Sequence, residues 1–240
     1  MLFWDLPMRI NDITDIFFDL DHTLWDFNKN SEETLYQLYD VYHLGNTVQF
    51  GRELFVEKFR EVNNRLWDLY DRDAIDKLKL RTERFRIIFN ELNSENNETA
   101  DKIGDDYLRI CPEKIHLIPH TGEVLDYLHK RYRLYVLTNG FSETQFKKMA
   151  FSKLEKYFVR MITSEEAGHK KPKPEFFEYA FRVVGAGKEE CIMVGDNLET
   201  DIKGAIGAGL DIIFYNPQKI PHTEKVTHEI TSLLELKDLL

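Results

Sequence analysis

The pattern of apolar positions divides the chain into a helical segment enclosed by a region of alternating strands and helices. A β-prone apolar run over residues 13–18 ends in acidic and polar residues, as a buried strand does. Apolar residues then recur at helical spacing, with no intervening strand pattern, as far as residue 110. The spacing predicts four helices here, at about residues 30–42, 52–70, 74–92 and 100–110.

Beyond Pro112 the pattern changes to short apolar runs separated by amphipathic segments. The runs predict strands near residues 134–137, 158–162, 191–194 and 210–215. The segments predict helices near residues 121–130, 142–149, 175–184 and 230–240. Strands that alternate with helices form a parallel sheet covered on both faces, so the fold class is α/β. The predicted domains are a core of residues 1–26 and 113–240 and a helical insert of residues 27–112.

Composition narrows the class of protein. The formal net charge of -10 argues against a nucleic acid polymer as partner, because binding a phosphate backbone needs clustered cations. No stretch approaches the roughly 18 apolar residues of a membrane span. Cys111 and Cys191 form no disulfide framework, which fits a reducing cytoplasm. Met8 is a candidate native start, since the first strand needs nothing before it, and the oligomeric state stays open.

Polar side chains follow three of the predicted strands directly. They are Asp19 and Asp21, then Thr138 and Asn139, then Asp196. Right-handed crossovers place the carboxyl ends of parallel strands at one edge of a sheet, where open α/β sheets bind ligands. An acidic pair alone is equally typical of an ordinary turn. Agreement between several strand ends favours a functional site.

The residue types at this edge suit phosphate chemistry. Carboxylates from different strands are ligands that Mg²⁺ prefers, and a carboxylate that approaches a phosphate needs such a cation. Thr138 and the backbone N–H groups of Asn139 and Gly140 are placed to hold phosphoryl oxygens. Lys171, in an extended Lys-Pro-Lys-Pro segment, would add positive charge, although a solvated basic surface explains the same segment.

Four segments of the chain occur in the order of the motifs of the haloacid dehalogenase superfamily of phosphohydrolases. They are Asp19–Thr23 (DLDHT), Thr138, Lys171–Pro174 (KPKP) and Gly195–Asp201 (GDNLETD). The chain resembles this superfamily over its whole length. The resemblance implies a Rossmann-like, doubly wound core. It also implies that the insert is the helical cap of the first subclass, which closes over the site and excludes water.

The resemblance also implies a role for each acid. Asp19 would be the nucleophile that forms an aspartyl-phosphate, and Asp21 the general acid and then the general base. Mg²⁺ would bind Asp19, Asp196 and the backbone carbonyl of Asp21. Asp201 would orient Lys171 or a metal-bound water. Dehalogenases of the superfamily lack the second aspartate, so Asp21 favours phosphoryl transfer.

The identity of the substrate depends on the insert. Residues 66–85 (LWDLYDRDAIDKLKLRTERF), together with the TNGF segment at 138–141, most resemble the pyrimidine 5′-nucleotidase branch. This implies a nucleoside 5′-monophosphate as the small phosphorylated substrate, with Trp67 and Tyr70 as candidates for stacking on the base. Aromatic residues at helical spacing are more often core. The alternatives are a phosphatase that acts on a sugar phosphate or on phosphoglycolate, and a binding module that is catalytically silent.

Overall fold

The computed structural model describes residues 12–48 and 50–240. The candidate start at Met8 lies outside these ranges. The described residues form two compact units: a core unit of residues 12–26 and His116–Leu240, and a helical unit, Phe27–Ile115.

The second boundary lies three residues beyond the one expected at 112. Lys114 accounts for this difference, because its Nζ donates to Oε1 of Glu33 at 2.6 Å and to Oε1 of Gln37 at 3.2 Å. Both acceptors belong to the first helix of the helical unit. Lys114 is therefore held by the helices of the helical unit.

The four predicted helices of the helical unit are present, and their ends shift by at most three residues. Its helices are α1 (Phe27–Val41), the one-turn α2 (Leu44–Thr47), α3 (Arg52–Asp71), α4 (Lys77–Glu91) and α5 (Asn97–Ile110). Their interior is aromatic: Phe55, Phe59, Phe85, Phe89 and Tyr107 are buried, with neighbouring ring centroids within 6.2 Å. Burial of such rings is what stabilises a bundle of this size. Within the described ranges, no helix has the length and apolarity to cross a bilayer.

The core unit contains one six-stranded parallel sheet within the described ranges. Its strands are β1 (Asp15–Phe18), β2 (Arg133–Thr138), β3 (Arg160–Thr163), β4 (Cys191–Gly195), β5 (Asp211–Tyr215) and β6 (His228–Ile230). The order β3-β2-β1-β4-β5-β6, with all neighbours parallel, is that of a doubly wound Rossmann sheet. The predicted fold class is confirmed. The order reverses between β1 and β4, so a crevice opens beyond their carboxyl ends.

Helices cover this sheet. They are α6 (Thr121–Leu128), α7 (Ser142–Phe151), the one-turn α8 (Ser164–Ala167), α9 (Pro174–Val184), α10 (Lys203–Ala208) and the short α11 (Leu236–Leu239). Phe176 and Phe177 of α9 are fully buried against Phe17 of β1 and its neighbours. This packing fixes the loop before α9, which contributes to the site.

The prediction of a terminal helix over residues 230–240 is wrong. Ile230 ends strand β6, which pairs with β5. A capping box explains why helical structure starts only afterwards: the Oε1 atom of Glu235 accepts from the N–H groups of Thr231 and Ser232, both at 2.9 Å. The apolar spacing of Ile230, Leu233 and Leu236 resembles a helix, and all three side chains are buried.

Gly204 allows α10 to lie close to the loop before α9. A Cβ atom there would stand 2.7 Å from the Phe177 ring and 2.9 Å from Cα of Pro172. We expect Gly204→Ala to lower the free energy of unfolding by about 1–3 kcal/mol through overpacking. The control Gly207→Ala, in the same helix with no atom within 4 Å, is expected to be neutral or to stabilise by up to about 1 kcal/mol. Urea denaturation measures both, and equal midpoints would contradict the close approach.

Candidate active site

Lys171 lies at the centre of the polar residues beyond the sheet edge. Its side chain is 1% exposed, and its Nζ donates to Oδ1 of Asp19 at 2.6 Å, Oδ1 of Asp201 at 2.6 Å and the carbonyl of Leu137 at 2.8 Å. Burial by itself lowers the pKa of an ammonium, but the charges of Asp19 and Asp201 raise the pKa of Lys171 above its usual range. The lysine is therefore a fixed cation, not a solvated surface group.

Asn139 holds the backbone of Lys171 in place. Its Nδ2 donates to the carbonyl of Lys171 at 2.9 Å, and its Oδ1 accepts from the N–H of Lys171 at 2.8 Å. Asn139 directly follows β2, so these two bonds fix the lysine loop to the end of a central strand. The side chain of Asn139 is thereby committed to positioning Lys171.

Three carboxylates surround this cation. Asp19 follows β1, Asp196 follows β4, and Asp201 lies in the turn before α10; one oxygen of each lies within 4.8 Å of the others. Thr23 donates its hydroxyl to Oδ1 of Asp196 at 2.8 Å. Three acids thus meet at the point where the strand order reverses.

The cluster contains more negative than positive charge. Burial, and then the charge of Asp201, raises the pKa of Asp19 to about 7 although Lys171 opposes the shift. Burial and the neighbouring charges of Asp19 and Asp201 raise the pKa of Asp196 well above its usual range. Carboxyls held in this way favour any additional cation that can share their oxygens.

A single turn of π-helix, Leu198–Ile202, directs Asp201 back toward the site. Asn197 caps it, because its Oδ1 accepts from the N–H groups of Glu199 at 2.9 Å and Thr200 at 3.1 Å. Glycine is needed at Gly195, where a Cβ would lie 2.4 Å from Oδ2 of Asp201. The GDNLETD segment therefore combines a strand end, a close approach and a cap.

Asp21 lies in a different environment from Asp19. Its Oδ1 and Oδ2 accept from Nζ of Lys148 at 2.6 and 2.8 Å, and its Oδ2 also accepts from Nε2 of Gln145 at 2.9 Å. Burial alone raises the pKa of a carboxyl, but the Lys148 ammonium and these hydrogen bonds lower the pKa of Asp21. Its charge is close enough to raise the pKa of Asp19.

Thr138, at the end of β2, is buried with its hydroxyl toward the same region. Its Oγ1 accepts from the N–H of Gly140 at 3.0 Å and from Nε2 of Gln145 at 2.7 Å. That one amide nitrogen therefore joins Thr138 to Asp21. A hydroxyl that accepts two hydrogen bonds keeps its own proton for a third partner.

The structure brings most of the sequence-predicted site residues together. It also places two further residues beside them, Gln145 and Lys148. Asp19, Asp196, Asp201 and Lys171 form one cluster; Asn139 adjoins it through the backbone of Lys171. The Asp21 carboxylate is outside the three-acid group, and its expected backbone contact with Mg²⁺ stays a prediction.

Sequence reasoning missed Gln145 and Lys148, because polar residues one turn apart on a helix usually face solvent. Their only signal is that α7 begins directly after the TNGF segment.

Trp67 and Tyr70 lie in α3 of the helical unit. Their rings meet edge to face, with centroids 5.4 Å apart. Tyr70 is buried in that unit, whereas Trp67 is partly exposed. Only Trp67 therefore offers surface to a ligand.

Comparison with known proteins identifies the family. The sequence model of the haloacid dehalogenase-like hydrolase family matches residues 15–209 of this chain. The chain therefore belongs to the haloacid dehalogenase-like hydrolase family, and the predicted phosphomonoester hydrolase class is confirmed. The chain is 32% identical over 228 residues to the pyrimidine 5′-nucleotidase YjjG of Escherichia coli, covering 94% of this chain and 96% of that protein.

Two further relatives have similar lengths. The pyrimidine 5′-nucleotidase PynA of Streptococcus pneumoniae is 31% identical over 229 residues, covering 94% of each chain. The crystal structure of the HAD-hydrolase YfnB of Bacillus subtilis, which is bound to magnesium, superposes with a TM-score of 0.83 at 28% identity and covers 95% of this chain and 98% of that one. The magnesium belongs to YfnB, but the donor set here, three close carboxylates with surplus negative charge, fits a divalent cation.

Excess negative charge predicts that Mg²⁺ stabilises the folded protein. A ligand that binds only the folded state adds about 2.7 kcal/mol at a hundred times its dissociation constant. We expect Mg²⁺ to raise the thermal unfolding midpoint of the wild type, and Asp196→Asn to lose most of that rise. Glu199→Gln is the matched control, because its side chain is 68% exposed. Equal rises in all three proteins would contradict a cation site at Asp196.

Proposed function

We propose that the protein is a Mg²⁺-dependent phosphatase of nucleoside 5′-monophosphates, with pyrimidine nucleotides preferred. The observation that supports the reaction best is the 2.6 Å contact between Lys171 and Asp19 inside a buried group of acids. The similarity to two pyrimidine 5′-nucleotidases at 31% and 32% identity, over 94% of this chain in each case, supports the substrate class. The thiols of Cys111 and Cys191 are buried and form no disulfide, which supports a cytoplasmic location.

Asp19 is the proposed nucleophile. One carboxylate oxygen attacks the phosphorus, and the bond from phosphorus to the ester oxygen breaks, which leaves an aspartyl-phosphate. Lys171 holds the carboxylate in one orientation and offsets part of its repulsion toward the phosphoryl oxygens. Thr138 donates its free hydroxyl proton to one of those oxygens.

Asp21 is the proposed general acid and base. It gives a proton to the departing ester oxygen, then removes one from the water that hydrolyses the aspartyl-phosphate. Lys148 keeps Asp21 ionised in the free protein, so the proton must arrive with the substrate or after it. A bound phosphate group carries negative charge, which raises the proton affinity of a nearby carboxylate.

Asp19, Asp196 and the backbone carbonyl of Asp21 are the proposed ligands of Mg²⁺. Asp201 is less suited, because its Oδ1 is bound by Lys171 at 2.6 Å and its Oδ2 accepts from the N–H of Asn197 at 3.1 Å. Its proposed role is to orient Lys171. A bound Mg²⁺ would neutralise charge on the carboxylates and the phosphoryl group.

Phosphate release across a panel of nucleoside monophosphates, sugar phosphates and phosphoglycolate tests the proposal. We expect pyrimidine 5′-monophosphates to be hydrolysed fastest and EDTA to abolish release. Asp19→Asn is expected to lower kcat by about 10⁴-fold or more, because the nucleophile is lost. Asp12→Asn, an exposed position before β1, is the matched control.

The outcomes separate the alternatives. If a sugar phosphate or phosphoglycolate is hydrolysed fastest, the proposed reaction is retained and the assignment of a nucleotide substrate is wrong. If Asp19→Asn retains wild-type turnover, the nucleophile is wrong. If wild type releases no phosphate from any substrate, a catalytically silent binding module becomes the better interpretation.

Trp67 is the proposed contact for the base. Stacking of a base on an aromatic ring contributes about 1–3 kcal/mol, so we expect Trp67→Leu to raise KM for a pyrimidine monophosphate by about tenfold. KM for a small sugar phosphate, which has no base, should not change. Steady-state kinetics on both substrates decide the matter, and an equal change in both would refute stacking.

A further inference from the structure

Two buried polar residues of α7 take no direct part in the bond changes proposed above. Gln145 is 0% exposed and Lys148 is 5% exposed, and they lie one helical turn apart on the face toward the site. Amide and ammonium groups are costly to bury unless they bind partners. Both of them bind Asp21.

The contacts fix the Asp21 carboxylate from two directions. Nζ of Lys148 spans both oxygens, at 2.6 and 2.8 Å, while Nε2 of Gln145 contacts one of them at 2.9 Å. The same Nε2 donates to Oγ1 of Thr138 at 2.7 Å. The orientation of Asp21 is thereby tied to the residue proposed to hold a phosphoryl oxygen.

The stability of the fold does not explain the orientation of the Gln145 amide. Its Oε1 is buried and has no hydrogen-bond partner in the structure. A buried acceptor without a partner destabilises a fold, so the amide is retained despite a cost. If the amide group were turned the other way, its Oε1 would face the oxygens of Asp21 and Thr138. Only the present orientation supplies a donor to both.

Neighbouring residues leave little freedom to either side chain. A Cβ atom at Gly140 would lie 2.1 Å from Nε2 of Gln145, so glycine makes room for the amide. Nζ of Lys148 lies 4.5 Å from the centre of the fully buried Trp25 ring, a cation–π distance. Trp25 belongs to the loop that carries Asp21, and its backbone N–H donates to the carbonyl of Leu20 at 2.8 Å.

We propose that Gln145 and Lys148 are positioning residues for Asp21, which hold its carboxylate where it exchanges a proton with the departing ester oxygen and with water. The inference rests on the proposed phosphatase function. It adds α7 to the elements that build the site. Neither residue needs to contact the substrate.

The leaving group provides a specific test. An alkyl ester oxygen, as in a nucleoside monophosphate, needs a proton as its bond to phosphorus breaks. The phenolate of p-nitrophenyl phosphate departs without one. Displacing Asp21 should therefore slow hydrolysis of alkyl esters selectively, since a positioned acid contributes about 10²–10⁴-fold.

Gln145→Leu and Lys148→Met are the test variants, and Lys147→Met, an exposed lysine of the same helix, is the control. We expect kcat/KM to fall about 100-fold for the best alkyl substrate and less than about threefold for p-nitrophenyl phosphate. Lys147→Met should match wild type on both. Gln145→Glu keeps the size of the side chain but faces Asp21 with an oxygen, so it should be no more active than Gln145→Leu.

The melting temperature checks for a merely structural role. In Gln145→Leu, Asp21 keeps its bonds to Lys148, and Thr138 keeps the N–H of Gly140. We therefore expect a melting temperature within a few degrees of wild type. If Lys148→Met fails to fold, the two Gln145 variants alone decide the proposal.

Four results would contradict the inference or the function on which it rests. Equal losses on both substrates would show general damage, and wild-type activity in Gln145→Glu would show a packing role only. If wild type hydrolyses neither substrate, the proposed function itself fails. If wild type hydrolyses both and the leaving-group preference does not change in the variants, only the positioning role fails.

Discussion

The buried ion pairs of Lys171 hold the edge of the sheet together. Its ammonium bonds to Asp19 beyond β1, Leu137 in β2 and Asp201 beyond β4, which are adjacent strands. A lysine this deeply buried keeps its charge only because two carboxylates accompany it. Removing Lys171 would leave the carboxylates without their cation, so the geometry of the lysine loop and that of the sheet are interdependent. Asn139 strengthens this dependence by binding the lysine backbone.

One cation does not balance three acids, and that imbalance is the chemical property of the site. Natural proteins tolerate such local conflict chiefly where function needs it. The raised pKa values of Asp19 and Asp196 and the π-helical turn before α10 occur together at one crevice. Each is unfavourable for the isolated fold. Together they suit the divalent cation and the phosphate ester that we propose for this site.

Two carboxylates that are two residues apart in the chain have opposite environments. Burial among acids raises the pKa of Asp19, whereas Lys148 and Gln145 overcome burial and lower the pKa of Asp21. Opposite shifts of neighbouring acids are how enzymes assign separate roles to chemically equal groups. In this protein the distinction comes from α7, an element outside the ordered motifs.

The sequence by itself determined the α/β class, the helical insert and the residues that follow β1, β2 and β4, because apolar periodicity and parallel topology depend on local pattern and chirality. It did not predict β6: the spacing of Ile230 and Leu233 is helical, yet a capping box delays the helix. Nor did it identify Gln145 and Lys148, whose residue types are ordinary on a helix surface. Only tertiary packing decided that this face of α7 lies against Asp21, because burial is a property of the assembled fold and not of spacing along the chain.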